Sequence, residues 1–291
     1  LEYAYADFTI AEMAKKMNKP EISKRFYKQS KNYKNLFDPE TKWMRGKNED
    51  GTFQSPFNPL KWGDAFTEGN SLHYSWSVFH DIQGLIDLMG GDSEFTKKLD
   101  TVFTMPPKFD DSYYGFTIHE IREMQIVNMG NYAHGNQPVQ HMIYLYNYAK
   151  QPWKAQNKVR EVMRKLYSAT PDGYCGDEDN GQTSAWYIFS SLGFYPVTPG
   201  VPQYVFGSPL FEKVTMNLQN GNTFTINAKN NNYNNHYINS LKLNGANYNK
   251  TWIGYNDIQK GGSLNFEMNS VANKEFGISN ISSPYSMTKN N

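Results

Sequence analysis

The stretch DGYCGDEDNGQTSAWYIFSSLGFYP, residues 172–196, carries the strongest local signals in this sequence. Three acids follow one another at Asp177, Glu178 and Asp179, and the aromatic-rich pattern of residues 183–192 predicts a helix directly after them. Neighbouring carboxylates repel each other, so a cation or hydrogen-bond donors must offset the repulsion where the site is partly buried. The acidic loop therefore raises three alternatives: a calcium loop, a catalytic carboxylate site or an acidic cap on the helix.

The spacing of the residues after the acids excludes an EF-hand calcium loop. In the pattern D-x-[DN]-x-[DN]-G-x5-E, Asp177 and Asp179 match the first two ligand positions. Gly181 then occupies a ligand position, Gln182 stands where glycine is required, and Ile188 stands where the glutamate belongs. The helix dipole favours an acid before a helix, but this does not explain three adjacent acids. The crowding thus favours a catalytic or metal-assisted site over capping alone.

Composition excludes several classes of protein. The formal net charge of +1 gives no electrostatic attraction to nucleic acid or to an anionic membrane. No run reaches the ~18 apolar residues of a membrane span. The single cysteine, Cys175, has no partner for a disulfide or a thiolate metal site. Aromatic residues make up 15% of the chain, which suits stacking on sugar rings and equally suits a bulky core.

Helical patterns occupy the first two-thirds of the chain, and strand patterns occupy the last third. Residues 71–89 and 139–149 are each predicted as one helix, and long polar loops separate such segments. This alternation is typical of an α/α toroid. Short β-branched segments between Asn and Gly turns then predict a small antiparallel β-domain. We therefore expect a mainly α region at 1–200, a β-domain at 201–280 and a disordered tail at 281–291.

A second candidate site lies in KWGDAFTEGNSLHYSW, residues 61–76. Glu68 precedes a predicted helix start and has Trp62, Phe66 and Tyr74 as sequence neighbours. A carboxyl group desolvated by such aromatic rings keeps its proton near neutral pH, as a general acid must. The alternative, that Glu68 only complements the helix dipole, is equally compatible with this segment.

A third cluster of polar residues lies in GFTIHEIREMQIVNMGNYAHGNQPVQHMIYLYNYA, residues 115–149. His119 and Glu120 do not form the zinc motif H-E-x-x-H, because position 123 is a glutamate. The cluster offers many oxygen ligands and no set of soft ligands with tetrahedral spacing. If a metal ion binds here, a hard cation such as calcium is therefore expected rather than zinc.

Four segments together resemble the catalytic region of glycoside hydrolase family 92, the calcium-dependent exo-acting α-mannosidases. They are FTEGN, HEIREM, GNQPVQHMIYLYNYAKQPWKAQ and GYCGDEDNGQTSAWYIFSSLGFYPVTPG, and the similarity continues through YVFGSPLFEKVTMNL. The family architecture implied is an N-terminal β-sandwich ahead of an (α/α)6 barrel. The chain is then expected to be part of that toroid, followed by the small β-domain. The opening residues already read as a helix, which agrees with a missing N-terminal portion that would complete the pocket, and the chain alone is expected to be poorly active.

The resemblance implies an inverting mechanism with calcium as cofactor and a mannose-containing glycan as substrate. Glu68 would be the general acid, and Asp179, assisted by Asp177, would be the base that activates water. Glu178 is expected to point away and matter little, and Trp186 to be a packed aromatic. The calcium ligands implied are Glu123, Gln137 and Asp179. The substrate-binding residues implied are His119, Glu120, Asn70, Tyr74 and His141, and the first two favour α-1,2-linked mannose.

One departure from the family pattern bears on metal binding. The family reads G-N-E-P-S-H-H, whereas Gln137 and Gln140 stand in this chain at the glutamate and the first histidine. Loss of one negative charge is expected to weaken calcium binding. The leading hypothesis is an exo-α-mannosidase, secreted or at a bacterial cell surface as the resemblance implies. The alternatives are a catalytically weak or silent glycan-binding module and a toroid enzyme acting on another polysaccharide.

Overall fold

The computed structural model describes residues 1–289, which divide into two compact units. One unit comprises Leu1–Val139 together with the described residues from Ser286 onward, and the other comprises Gln140–Tyr285. Both units contain parts of the expected helical region 1–200, so the expected domain division stays a prediction. None of the helices in the described part of the chain is long and apolar enough to cross a membrane.

The first unit consists mainly of helices, with one short strand pair. Its elements are α1 (Glu2–Lys16), α2 (Pro20–Gln29), β1 (Phe37–Asp38), β2 (Trp43–Met44), α3 (Ser71–Tyr74), α4 (Ile82–Met89), α5 (Asp92–Thr104) and α6 (His119–Val127). Short 3₁₀ turns cover Ser30–Leu36, Gln137–Val139 and Met287–Lys289. In α5, Phe95, Leu99 and Val102 recur at helical spacing and are fully buried. Their burial against the rest of the unit is what stabilises this helix.

The single helix expected over residues 71–89 is wrong, because the segment forms α3 and α4 with a turn between them. The side-chain oxygen of Asn70 accepts the N–H of Leu72 at 2.9 Å and caps α3. Asp81 caps α4 through the N–H of Gly84 at 3.3 Å. Each side-chain cap satisfies an N–H that has no partner within its own helix, so each starts a new helix.

Asp81 is fully buried and binds the C-terminal end of the described chain. Its carboxylate accepts hydrogen bonds from the hydroxyl of Ser286 at 2.9 Å and from the hydroxyl and N–H of Thr288 at 2.7 and 2.8 Å. Met287, between these residues, is 1% exposed. The described part of the tail that was expected to be disordered is therefore held in place, because a buried carboxylate supplies partners for its polar groups. The last two residues of that expected tail lie outside the described residues.

The second unit contains the remaining helices and most of the strands. Its elements are α7 (Pro152–Lys165), α8 (Gln182–Leu192), β3 (Phe194–Tyr195), β4 (Gln203–Phe206), β5 (Lys213–Asn217), β6 (Thr223–Lys229), β7 (Tyr237–Leu243), β8 (Ala246–Asn247), β9 (Trp252–Gly254), α9 (Tyr255–Gln259) and β10 (Gly262–Asn269), with 3₁₀ turns at Met142–Asn147 and Asn280–Ser282. The helix predicted after the acidic loop is confirmed, and it ends at Gly193 with a left-handed φ of 99°. Among the described residues, α-helices and 3₁₀-helices together make up about 38%, and the closed toroid stays a prediction.

The helix expected at 139–149 is shorter than predicted and is a 3₁₀-helix over Met142–Asn147 rather than an α-helix. The side-chain amide of Asn147 donates to the carbonyl of Tyr144 at 2.9 Å and to the carbonyl of Phe206 at 3.0 Å. Such side-chain bonds compete with the backbone pattern of an α-helix.

The main sheet of the second unit has the strand order β5-β6-β10-β7-β8 and is mixed rather than purely antiparallel. β10 lies between β6 and β7, which run in opposite directions, so it must be parallel to one of them. It is parallel to β6, which corrects the expected antiparallel β-domain. Phe224 and Ile226 of β6 and Leu264 and Phe266 of β10 alternate along their strands and are at most 2% exposed. They form the buried face of the sheet.

Hydrogen bonds keep Asp81 ionised despite its burial. Burial alone would raise the pKa of Asp81, but the bonds from Thr288, Tyr33 and Ser286 outweigh that effect and hold the pKa below its ordinary value. A carboxylate with a lowered folded-state pKa stabilises the fold above its unfolded pKa. This stabilisation is lost as pH falls through the folded pKa.

The substitution Asp81→Asn is expected to lower the free energy of unfolding by about 3 kcal/mol, because an amide cannot accept all of these bonds. Urea unfolding near neutral pH measures the loss, which should shrink below the ordinary carboxylate pKa of about 4. Asp87→Asn, on the exposed side of α4, is the matched control and should change stability by less than about 0.5 kcal/mol. Equal losses in the two variants would contradict the role given to Asp81.

Candidate active site

The acidic loop leads directly into α8, and its backbone is strained. Asp179, Asn180 and Gly181 have consecutive left-handed φ angles of 52°, 55° and 99°. For residues other than glycine this conformation costs about 1–2 kcal/mol each, so neighbouring contacts must hold the loop. Asp177 and Asp179 are both exposed. Both aspartates are therefore exposed, and the loop that carries them has a backbone conformation that is unfavourable for residues other than glycine.

The first turn of α8 binds the carbonyl groups of all three acidic residues. The hydroxyl of Thr183 donates to the carbonyl of Asp177 at 2.9 Å, and the N–H of Thr183 donates to the carbonyl of Glu178 at 3.1 Å. The N–H of Gln182 donates to the carbonyl of Asp179 at 3.2 Å. Thr183 is fully buried, so water does not compete for its bonds. The helix thus fixes the loop through its main chain.

Gln140 lies behind this turn and is fully buried. Its amide nitrogen donates to the hydroxyl of Thr183 at 3.3 Å, and its amide oxygen accepts from the side chain of Gln182 at 3.3 Å. The bond from Gln140 occupies the hydroxyl oxygen of Thr183 as acceptor and directs the hydroxyl proton toward the loop. The carbonyl of Gln140 also accepts the indole N–H of Trp186 at 3.0 Å. Trp186 is 0% exposed and stacks on Tyr167, so the packed aromatic expected at this position is confirmed.

Glu178 has a structural function at the N-terminus of α8. Its carboxylate accepts the N–H of Gly181 at 2.7 Å and the N–H of Ser184 at 3.3 Å. The side-chain hydrogen bond from Ser184, followed by the N–H of Gly181, holds the pKa of Glu178 below its usual range. A carboxylate at this place stabilises the helix start. Glu178 therefore helps to hold the acidic loop, and the expectation that it matters little for catalysis stays a prediction.

Glu68 lies in the loop before α3 and is exposed. Its carbonyl accepts the side-chain amide of Asn136 at 2.6 Å, and Asn136 is only 3% exposed. The N–H of Gly63 donates to the carbonyl of Gly69 at 2.9 Å, which closes the loop around this segment. As in the acidic loop, the backbone is fixed while the carboxyl group remains accessible.

The expected desolvation of Glu68 by the aromatic rings of its neighbours is not seen in this chain, because Glu68 is exposed even though Tyr74 lies near it. Trp62 is 0% exposed and meets the ring of His73 edge to face at 4.8 Å. Phe66 stacks on Tyr74 at 5.5 Å. Burial, followed by the nearby negative charge of Glu68, raises the pKa of Tyr74 to about 12. The Tyr74 hydroxyl is thus a proton donor at neutral pH.

A cavity of about 270 Å³ opens beside this loop in the first unit. Its volume is near the lower end of the range for small-ligand pockets. The lining includes Phe66, Thr67, Tyr74, Arg45 and Gln54. The guanidinium of Arg45 donates to the backbone carbonyl of Gln54 at 2.7 Å, which fixes one wall.

His119 begins α6 and lies between two glutamates. Its Nδ1 is 2.9 Å from Oε1 of Glu123, and its Nε2 is 3.4 Å from Oε1 of Glu120. The second oxygen of Glu120, Oε2, is shielded from solvent and has no hydrogen-bond partner among residues 1–289. A shielded carboxylate oxygen without a donor is unfavourable, so it suits a hydroxyl group or a cation. The structure thus brings these three predicted residues together.

The remaining predicted residues are placed as follows. The side-chain oxygen of Asn70 is occupied by the cap of α3. Gln137 is half-buried at the start of a 3₁₀ turn in the first unit, and His141 is 3% exposed in the second unit. The roles assigned to all the site residues stay predictions.

The predicted calcium ligands fit calcium by their chemistry. Glu123, Gln137 and Asp179 offer carboxylate and amide oxygens, which are the donors that calcium takes. Within residues 1–289 no group of three or more His, Cys, Asp or Glu side chains is gathered as a metal ion would require. Glu123 and Gln137 belong to the first unit and Asp179 to the second.

Sequence reasoning missed Thr183 and Asn136, which hold the two candidate catalytic segments. The signal for Thr183 was its place in the first turn of a predicted helix, where hydroxyl groups often bind backbone groups. Asn136 had no comparable signal, because its partner, the carbonyl of Glu68, lies 68 positions away in the sequence.

Comparison with known proteins identifies the family. Residues 1–270 match the glycosyl hydrolase family 92 catalytic domain. The chain is 49% identical to the structure of a family GH92 inverting mannosidase from Bacteroides thetaiotaomicron, with a TM-score of 0.88 over 99% of this chain and 39% of that chain. It is 37% identical to a family GH92 α-mannosidase from the same organism in complex with mannoimidazole, with a TM-score of 0.89 over 98% of this chain and 38% of that chain. An uncharacterized secreted glycosidase of Arthroderma benhamiae is 26% identical over 290 residues, which cover 91% of this chain and 34% of that protein.

The match to a catalytic domain places the chain among the glycosyl hydrolases. It belongs to glycosyl hydrolase family 92, as the resemblance of its motifs predicted. The chain spans only 34% to 39% of the length of these relatives.

Replacing Thr183 with valine is expected to leave the carbonyl of Asp177 without its donor and to loosen the acidic loop. The variant should lose about 1–2 kcal/mol of stability, and the amides of residues 177–184 should exchange hydrogen faster. Thr183→Ser keeps the hydroxyl and is the matched control, so it should retain most of the protection. Equal exchange rates in the valine and serine variants would show that the hydroxyl does not hold the loop.

Proposed function

We propose that the protein carrying this chain is an inverting exo-α-mannosidase that removes terminal mannose from glycans, with a preference for α-1,2 linkages. The observation that carries the proposal is membership of family 92, supported by 49% identity to a structure described as an inverting mannosidase. The linkage preference rests on His119 and Glu120, which the motif resemblance assigns to the sugar next to the cleaved bond. The shielded oxygen of Glu120 supports a hydroxyl contact.

Glu68 is proposed as the general acid. In inverting hydrolysis the acid gives its proton to the glycosidic oxygen as the bond from that oxygen to the anomeric carbon breaks. Glu68 is exposed on a fixed backbone, so a glycan can reach its carboxyl group. A substrate that covers Glu68 removes water from the carboxyl group and raises its pKa, which keeps the proton available near neutral pH.

Asp179, assisted by Asp177, is proposed as the general base. A water oxygen attacks the anomeric carbon from the face opposite the leaving group, and the carboxylate takes a proton from that water. Because α8 binds the backbone carbonyls of both residues, their carboxylates start from a defined place. Positioning of this kind lowers the entropy cost of the reaction.

Asn70, Tyr74, His119, Glu120 and His141 are proposed to bind the sugar hydroxyls. Tyr74 is the best supported of them, because its phenol remains protonated at neutral pH and it lines the cavity beside Glu68.

Calcium is proposed as the cofactor, held by Glu123, Gln137 and Asp179. When bound, the ion would neutralise carboxylate charge and bind sugar hydroxyls next to the reacting carbon. Gln137 supplies a neutral carbonyl oxygen where the family pattern has a carboxylate, so binding is expected to be weaker than in relatives with glutamate.

The wider context of the chain is also part of the proposal. We infer that residues 1–200 contribute to an (α/α)6 toroid and that an N-terminal β-sandwich completes the pocket. We further propose that the protein is bacterial and acts outside the cell on glycans such as N-glycans. The relative from Arthroderma benhamiae, which is described as secreted, supports action outside the cell.

A glycan-binding protein with weak catalysis is the second candidate. The observation that favours it is the loss of a negative charge at Gln137. Mannose binding without release of mannose by the full-length protein would favour this candidate over the mannosidase.

Glu68→Gln is expected to lower kcat about 1,000-fold on an α-1,2-linked mannobiose, because the leaving sugar needs a proton. On dinitrophenyl α-mannoside the loss should be much smaller, because this leaving group departs as a stable anion. Asp179→Asn is the comparison variant and should lower kcat on both substrates, because water activation is needed in each case. Equal losses on both substrates for Glu68→Gln would remove Glu68 from the role of acid.

Gln137→Glu is expected to tighten calcium binding about tenfold by adding a carboxylate ligand. Titration calorimetry on chelator-treated full-length protein measures the Kd. Gln125→Glu, at an exposed position of α6, is the matched control for added charge and should leave the Kd unchanged. An unchanged Kd in the Gln137→Glu variant would exclude this residue as a ligand.

A further inference from the structure

A tyrosine-lined cavity of about 350 Å³ lies in the second unit and is not used by the proposed catalytic roles. Its walls include Tyr167, Tyr174 and Tyr187. Tyr174 stands three positions before Asp177 in the sequence, and Tyr187 belongs to α8, the helix that binds the acidic loop. The cavity is therefore built from the same segment that carries the proposed base.

A tight hairpin forms one wall of this cavity. Tyr167 and Tyr174 pair across an antiparallel bridge, and their rings are perpendicular at 5.8 Å. The N–H of Ser168 donates to the carbonyl of Gly173 at 3.0 Å, and the N–H of Gly173 donates to the carbonyl of Thr170 at 3.0 Å. A Cβ atom at Gly173 would lie 2.1 Å from the carbonyl oxygen of Ser168, so only glycine allows this turn. The wall is thus formed by the hairpin itself, before any ligand binds.

Tyr174 is held in place and remains 43% exposed. Its hydroxyl is 2.8 Å from the hydroxyl of Ser184, and the ring is in edge contact with Tyr167. Tyr187 is tilted by 40° to the ring of Tyr167 at 4.8 Å. A fixed aromatic ring with an exposed face binds a ligand without a large loss of side-chain entropy.

The lining of the cavity suits a neutral sugar. None of the residues that line it in the described chain is charged. The hydroxyls of Ser168 and Thr170 lie 2.7 Å apart in the exposed turn and can bond to sugar hydroxyls. Apolar ring faces together with a few hydroxyl groups match the two sides of a pyranose ring, whereas a phosphate or an acidic ligand would require cations.

We propose that this cavity is a binding subsite for a pyranose ring on the leaving-group side of the cleaved bond. The inference rests on the proposed function, because an exo-acting enzyme takes one terminal sugar into the catalytic site and must accommodate the rest of the glycan elsewhere. Binding there adds affinity for longer glycans and adds nothing for a substrate that has one sugar.

The test compares an α-1,2-linked mannotetraose with nitrophenyl α-mannoside as substrates of the full-length protein. Tyr174→Ala is expected to raise KM for the tetrasaccharide about tenfold, which corresponds to a loss of about 1.4 kcal/mol of binding free energy. The kcat for the tetrasaccharide, and both kcat and KM for the aryl substrate, should stay within about twofold of the wild-type values. Tyr174→Phe keeps the ring and is the matched control, so its KM should stay near that of the wild type. Equal changes on the two substrates, or no change on either, would overturn the subsite.

A binding measurement separates this inference from the proposed function. Saturation-transfer NMR with the same tetrasaccharide and the Glu68→Gln protein should show contacts to an internal sugar ring, and these contacts should disappear when Tyr174→Ala is added. If the wild type hydrolyses neither substrate, the proposed function fails and the NMR contacts alone decide the subsite. If Tyr174→Ala does not fold, Tyr187→Leu replaces it in both measurements. Retained contacts in the folded variant would overturn the inference.

Discussion

The hydrogen bonds between the first turn of α8 and the acidic loop are the constraint on which the proposed chemistry of the second unit depends. Thr183 and Gln182 donate to the carbonyls of the three successive acidic residues. The last of these acids, Asp179, and the next residue, Asn180, have left-handed backbone conformations. Without these donors, the strain of Asp179 and Asn180 would favour other loop conformations. The bonds go to main-chain carbonyls, and Asp177 and Asp179 are both exposed.

In the first unit, too, a hydrogen bond to a main-chain carbonyl holds the backbone of a candidate catalytic residue. The carbonyl of Glu68 is bound by the buried amide of Asn136, and the carboxyl group itself stays exposed. The pKa that a general acid needs would arise when the glycan, and any further part of the protein, excludes water from Glu68.

Local patterns in the sequence predicted some elements well and others poorly, for identifiable reasons. The helix after the acidic loop and its end at Gly193 follow from periodicity and a glycine cap, which are local signals. The break between α3 and α4 depends on Asp81, whose partners include residues 286 and 288 at the far end of the chain. The position of β10 between β6 and β7 likewise depends on pairing between strands that are distant in the sequence. Motif resemblance led to the family and to Glu68, but Glu68 is exposed, and no spacing rule indicates the direction of a loop side chain.

The central proposal is that the full-length protein carrying this family 92 chain hydrolyses α-mannosides with inversion, with Glu68 and Asp179 as its two carboxylates. Proton NMR of the first mannose released by the full-length protein from nitrophenyl α-mannoside tests it most directly, because mutarotation is slower than a fast enzymatic reaction. The account predicts that β-mannose appears first and that α-mannose grows in later by mutarotation. Initial release of α-mannose would show retention through a covalent intermediate and would contradict the roles given to both carboxylates.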